Sequence, residues 1–261
     1  MSITNEQKEE IKRIIRDTIR KKLLNYKPET DSMPFHYRLL GRDRMALFSF
    51  IHSLNTAFGT SIFEPVAEIV ASSKFQKVIR QFEIGDIITE KAQIEIMHII
   101  NELASGRSDP DKKKEIEIIR KVCKQGKINK LKTVKADIFV MDQYSSVHLF
   151  DIKTAKPNIS SFKDFKKTLL EWVAIYLYRY PDSNVNSYIA IPYNPYEPKP
   201  YERWTLKGIL DLENELKVAE EFWDFLGGQG TYQEILDCFE IVGIELRPEI
   251  DKYFSKFKNI R

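Results

Sequence analysis

Several things are scarce in this sequence, and each scarcity excludes a class of protein. Glycine and proline, 10 and 11 of 261 residues, make up about 8% of the chain, too little for a collagen-like, low-complexity or disordered protein. Cysteine occurs twice, at Cys123 and Cys238, with no CxxC or CxxxH neighbour. Neither a disulfide framework nor a zinc site is indicated, and both read as structural thiols. No run approaches about 18 uncharged apolar residues, and the start MSITNEQKEEIKR has no apolar signal core, so the expectation is a soluble, cytoplasmic protein. Missing too are GxxxxGK[ST], GxGxxG after a strand, GxSxG and HExxH. The four histidines, His36, His52, His98 and His148, are scattered and read as ordinary helix or strand residues. What remains for chemistry is carboxylates and lysines.

The net charge of +3 conceals a strong segregation of sign. Residues 107–135 hold 11 basic against 4 acidic residues, a net of +7. Residues 211–251 hold 12 acids against Lys217 and Arg247, a net of −10, and residues 8–27 carry a net of +5. Such asymmetry points to one face turned toward a polyanion and another kept away from it, although solvated helix faces produce the same pattern.

Apolar residues at three- and four-residue spacing predict a helix over 4–24 and further helices over 43–58 (ended by Gly59), 63–72, 90–103 and 111–124. The texture then changes. TVKADIFVM (133–141) and SVHLFDIK (146–153), joined by a turn-like DQYS, read as a β-hairpin. A long helix over 160–178 and a strand over 186–191 follow, then a loop rich in aromatics and prolines, PYNPYEPKPYERW. Residues 209–257 read as acidic helices broken at 227–230 and near Gly243. With no internal repeat and no Ser/Gly linker, the expectation is one α/β domain over 1–261, with a helical part (1–130), a catalytic sheet, helix and loop (131–205) and a second helical part (206–261).

Asp151-Ile152-Lys153 fits the acid-x-Lys element of metal-dependent nucleases, but the pattern is common here: Glu6, Glu10, Asp111, Asp164, Glu197 and Glu215 also have a lysine two residues on. Context distinguishes them. Only Asp151 ends an apolar strand-like run, where residues i and i+2 share a face, so Asp151 and Lys153 emerge together. Asp137 interrupts the other strand of the same hairpin, and folding brings the two acids to one end of the sheet. At about 4 Å they repel by about 4 kcal/mol at an effective dielectric of 20, a repulsion that a bridging Mg²⁺ turns into binding. The alternative is that Asp137 caps a strand and Asp151 merely pairs with Lys153. A third carboxylate is expected from a helix, with Glu64 preferred over Glu68, its neighbour at i+4.

At this point the sequence resembles the PD-(D/E)xK nuclease superfamily and, within it, the TdeIII-like family of type II restriction endonucleases. The resemblance is carried by FEPVAE (63–68), KADIFV (135–140), DIKTAKPN (151–158), AIPYNPYEPKPYERW (190–204) and EEFWDFLGGQGTY (220–232). It implies a restriction-endonuclease-like core, a mixed sheet flanked by helices, with additional terminal helices. It also implies Mg²⁺-dependent cutting of both strands of a short duplex site, leaving 5′-phosphate ends. Asp137, Asp151 and the Ile152 carbonyl would hold the metal, Lys153 would act beside them, and Glu64 would complete the catalytic set. Ala136 stands where proline is usual, and Asp151 is one methylene shorter than Glu.

Thr154, Lys156, Asn158, Asn194, Lys199 and Arg203 are candidate phosphate or base contacts, and the basic run 112–135, with Lys130 and Lys132 foremost, a candidate phosphate grip. A homodimer matches the symmetry of a palindrome, and the resemblance implies a GC-rich palindromic site of the GGNCC type and a companion DNA methyltransferase. Two other readings share many of these features: a structure-specific nuclease such as a junction resolvase, and a nucleic-acid-binding protein whose hairpin is purely structural.

Overall fold

The computed structural model describes residues 3–29, 33–153, 162–201 and 208–257. Helix α1 (Asn5–Asn25) opens with a capping box in which Thr4 and Gln7 exchange side-chain-to-backbone hydrogen bonds, and it buries Ile11 and Ile15. After α2 (Pro34–Leu40) and α3 (Arg42–Phe58), the expected stop at Gly59 is not a stop. A five-residue π-helical turn, Gly59–Phe63, carries the chain directly into α4 (Glu64–Ala71). The Glu64 N–H reaches back to the Gly59 carbonyl, one residue further than in an α-helix, just before Pro65, which has no N–H to give.

Five strands form one sheet in sequence order: β1 (Lys77–Thr89), β2 (Ile128–Met141), β3 (Val147–Ile152), β4 (Val185–Ile191) and β5 (Leu216–Val218). The first three are antiparallel, as the hairpin expectation required for β2 and β3, and β3, β4 and β5 run parallel. Strand alternation sends neighbouring residues to opposite layers. Phe139 packs on Tyr176 of α7 (Phe162–Arg179), while Phe150, paired with Ile138, packs on Phe222 and Phe225 of α9 (Glu220–Gly227). Helices α5 (Glu90–Ala104) and α6 (Lys112–Val122) join α7 on its side, and α4 joins α9 on the other. Outside that second layer lie α1, α3 and α10 (Thr231–Ser255). Among the described residues no helix is long and apolar enough to cross a membrane.

One strand, β1, falls where no element was expected, and two further expectations need correction. Strand β1 carries no clean alternation because Gln81 and Gly85 have positive φ and the register shifts on either side of Gly85, so the periodicity that marks a strand is lost. Strand β5 is a three-residue edge inside an acidic stretch, which follows the short α8 (Leu212–Glu215). The break expected near Gly243 is absent: α10 runs through Gly243 and Pro248. A mid-helix glycine costs about 1 kcal/mol, which packing against α1 offsets through buried Val242 and Leu246.

The same pairing corrects the charge reading. Lys8–Glu234 (2.9 Å), Arg16–Glu245 (2.7 Å) and Arg20–Glu249 (2.7 Å) join the basic first helix to the acidic last one, so much of the segregated charge is spent inside the molecule. Lys112 likewise leaves the basic run. Its ammonium is buried, 2.9 Å from Glu215 and 2.8 Å from the Ser187 hydroxyl, and Lys166 completes the cluster at 2.5 Å from Glu115 and 2.6 Å from Glu215. Burial pushes the Glu215 carboxyl up, but Lys112 and Lys166 outweigh it and hold Glu215 below the usual range.

Lys166→Ala leaves two buried glutamates with one lysine between them. The expected loss is about 3–5 kcal/mol of unfolding free energy, measured by urea titration, against under about 1 kcal/mol for the exposed Lys167→Ala.

Candidate active site

The last ladder pair between β2 and β3 is Ile138 with Phe150. One further step along the same register sets Asp137 opposite Asp151, and there the ladder gives way. Instead of backbone pairing, Asp137 Oδ2 accepts the Ile152 N–H at 2.8 Å. On the other edge of β2, Arg80 pairs with Ile138 and Phe82 with Ala136, skipping the residue between them, Gln81. Gln81 has φ +51°, a conformation that costs a non-glycine residue on the order of 1–3 kcal/mol. Its Nε2 donates to Asp137 Oδ1 at 3.2 Å and to Glu64 Oε2 at 2.8 Å. Glu64 comes from the first turn of α4 and is buried, whereas Glu68, one turn on, lies 3.6 Å from Arg80 on the surface.

Three carboxyls thus converge, and their electrostatics record the crowding. Burial raises the Asp151 carboxyl to about 6, Lys153 opposes that shift, and Asp137, close enough to share a hydrogen bond, adds to it. Burial also raises Glu64; Gln81 opposes the shift and Asp137 reinforces it. The Lys153 ammonium lies 2.6 Å from Asp151 Oδ1 and 5.5 Å from the centre of the Phe165 ring. Among the described residues, no group of three or more His, Cys, Asp or Glu side chains is arranged to hold a metal ion. The donor set still suits Mg²⁺, which typically takes one or two carboxylates, keeps several waters and adds substrate phosphate oxygens instead of sitting in an all-protein cage. Asp137 and Asp151 are hard oxygen donors whose mutual repulsion a divalent cation would relieve.

Beside the acids opens a cleft of about 720 Å³. Ile152 and Lys153 form part of its wall, Tyr193 and Pro195 from the loop after β4 another, and His52, Asn55 and Thr56 of α3 a third. Sequence reasoning predicted α3 as a helix but missed its place at the site, and it missed Gln81. The three α3 residues carry a faint signal, polar side chains at i, i+3 and i+4 of an apolar helix. Gln81 carries none.

The remaining candidate residues are dispersed. Thr154, Lys156, Asn158 and Arg203 lie outside the described residues. Asn194 is committed within its loop: its Nδ2 donates to the Lys199 carbonyl at 2.7 Å and its Oδ1 accepts the Tyr196 N–H at 3.0 Å. The Lys199 side chain is exposed. Lys130, 3.8 Å from Asp86, and Lys132 are exposed on β2, about 15–25 Å from Asp137 along the strand. Three of the other acid-x-Lys pairs serve structure: Asp111 caps α6, and Lys166, two residues after Asp164, and Glu215 belong to the buried cluster.

Most of the chain is similar to known proteins. The model of a family described as "Type II restriction endonuclease, HinfI" matches residues 3–243. The type II restriction enzyme HgiCII of Herpetosiphon aurantiacus is 27% identical over 226 residues, which cover 85% of this chain and 81% of that protein. HgiEI of the same organism is 27% identical over 225 residues, 84% of this chain and 80% of its own length. The type II restriction enzyme MjaII of Methanocaldococcus jannaschii is 26% identical over 224 residues, 81% of this chain and 58% of that longer protein.

A carboxyl whose folded value is raised favours its protonated form, so in metal-free protein Asp151 costs stability as pH climbs from about 4 through about 6. The cost is on the order of 2–3 kcal/mol by pH 7. Asp151→Asn is therefore expected to melt higher than wild type at pH 7 and at the same temperature near pH 4. A gap that does not change with pH would show that Asp151 carries no such burden.

Proposed function

Because the chain belongs to the HinfI family of type II restriction endonucleases, and is thus a site-specific deoxyribonuclease, we propose that it cuts double-stranded DNA at the cleft beside Asp137, Asp151 and Lys153, by the chemistry of the PD-(D/E)xK superfamily. The observation that carries this reading is the placement of two carboxylates on one rung of the β2–β3 hairpin with the Lys153 ammonium 2.6 Å from one of them. The motif blocks favour a likeness to the TdeIII-like group, and one restriction-endonuclease-like domain spanning the chain as the working unit.

Asp137, Asp151 and the Ile152 carbonyl would hold Mg²⁺. Bound there, the ion would polarise the scissile phosphate and lower the pKa of a coordinated water. Asp137 anchors itself through the Ile152 N–H, which fixes its second oxygen toward Gln81. Lys153 supplies a positive charge at the edge of the cleft, where it orients the attacking water and offsets charge developing on the phosphate. Glu64, held by Gln81, completes the acidic set. The products are 5′-phosphate and 3′-hydroxyl ends.

Two strands must be cut by a chain with one such constellation, so a homodimer on a palindromic duplex is the simplest arrangement, with GGNCC the best guess for the site. A companion DNA methyltransferase would protect the host sequence. Lys130 and Lys132 contact phosphates away from the cut, and Lys199 and Arg203, with Thr154, Lys156 and Asn158 next to the catalytic lysine, lie on segments that meet the DNA. Asn194 serves these segments indirectly, by bracing its loop.

The first test is digestion of supercoiled plasmid. Discrete fragments with Mg²⁺ and none with EDTA are expected, and products without a common end sequence would overturn the site-specific reading in favour of a structure-specific nuclease. Lys153→Ala is expected to abolish cleavage while leaving DNA affinity within about tenfold, because phosphate contacts elsewhere persist. Wild-type rates in that variant would remove Lys153 from the mechanism. Charge reversal at Lys130 and Lys132 together is expected to weaken binding alike on all duplexes and to flatten the log-affinity against log-salt slope by about two units. An unchanged slope would place both lysines away from the DNA.

A further inference from the structure

Resting on the nuclease reading above, we propose that α3 is a DNA-reading element, and that His52, Asn55 and Thr56 contact base edges within about three base pairs of the cut. The cleft that holds Lys153 on one wall holds these three side chains on another. A space of about 720 Å³ is about 9 Å across, two to three base steps at about 3.4 Å each. Whatever duplex segment presents its phosphate to Lys153 therefore presents its neighbouring base pairs to α3.

The chemistry of the wall favours bases over phosphates. His52, Asn55 and Thr56 are exposed and make no side-chain hydrogen bond to another described residue. Together they offer an imidazole, an amide and a hydroxyl, groups that both donate and accept, as a base edge requires, whereas a phosphate only accepts and its charge is met best by Lys or Arg. Lys153 is the one cation among the described residues that line this cleft. Asn194, on the opposite loop, has both ends of its amide occupied by its own backbone neighbours and is not available in the same way. His52 is also steadied by stacking on Phe48 one turn earlier, ring centres 6.3 Å apart, so its imidazole is presented at low entropic cost.

The attachment of α3 gives the reading a mechanical consequence. The π-helical turn makes α3 and α4 one continuous helical rod, with His52, Asn55 and Thr56 before the turn and Glu64 immediately after it. A shift of α3 on a cognate base pair is transmitted to the carboxylate that Gln81 ties to Asp137.

The test begins with wild-type protein, whose cut position is read by sequencing digest ends. Oligonucleotide duplexes carrying each single base-pair substitution through the site are then cut by wild type, Asn55→Ala and the His52→Ala/Asn55→Ala double variant. Thermal melting checks that each variant is folded, and binding is measured in EDTA on the same duplexes. Asn55→Ala is expected to lose tenfold or more in kcat/KM on the cognate duplex. It should also lose tenfold or more of the discrimination at one base pair within three of the cut, with discrimination elsewhere retained. Unchanged preference at every position in both folded variants would overturn the proposal. So would a uniform loss of binding on all duplexes with a flatter salt slope, which marks a phosphate contact. A wild type that cuts no DNA would overturn the nuclease reading and this inference with it, whereas specific cutting by wild type with unaltered variants would overturn this inference alone.

Discussion

The site depends on a conflict at one rung of a hairpin. The register that pairs Ile138 with Phe150 brings two aspartates face to face at its next step, and like charges opposite each other in a sheet repel. The structure contains that conflict by several local departures from regularity. Backbone pairing stops, Asp137 takes the Ile152 N–H, Lys153 takes Asp151, and Gln81 leaves the β1 ladder with a positive φ to bridge Asp137 and Glu64. The crowded, buried carboxyls and the inverted backbone of Gln81 cost stability where an all-apolar strand end would cost none. These strained features cluster at the edge of the cleft, which is what the proposed active site would require.

Charge is used in opposite ways on the two layers of the molecule. Behind the sheet, Lys112, Lys166, Glu115 and Glu215 are sealed from water, and their pairing orients α6, α7 and the end of α8 around Ser187 of β4. Removal of any member leaves an uncompensated ion, which makes the cluster a specifier of helix position more than a net source of stability. On the outer helical layer the ion pairs between α1 and α10 are partly exposed and screened by salt, so burial of Ile11, Ile15, Val242 and Leu246 does most to hold that layer.

What was legible in the sequence follows from which physical signals are local. Helices with a continuous apolar stripe, and a hairpin of β-branched residues, announce themselves over ten residues, and the same hairpin indicated where Asp137 and Asp151 would stand. Strand β1 was hidden because the bend at Gly85 and the inversion at Gln81 destroy the alternation, although this strand carries the residue that links the acids. The charge runs misled for a different reason. A one-dimensional count cannot tell a basic segment that faces solvent from one whose partner lies more than two hundred residues away, as Arg16 and Glu245 do. Lys112 shows the same limit at the scale of a single side chain.

That long-range pairing also bears on how the protein is made. Helix α1, with Ile11 and Ile15 apolar on one side, is made about two hundred residues before the helix that covers them. At about 5–20 residues per second, α1 waits on the order of ten to fifty seconds for α10. During that interval the residues of the sheet, from Lys77 to Val218, are already available to fold. The contact between α1 and α10 therefore closes only after the whole sheet has been made, and α1 reaches its place after strands that follow it in the chain.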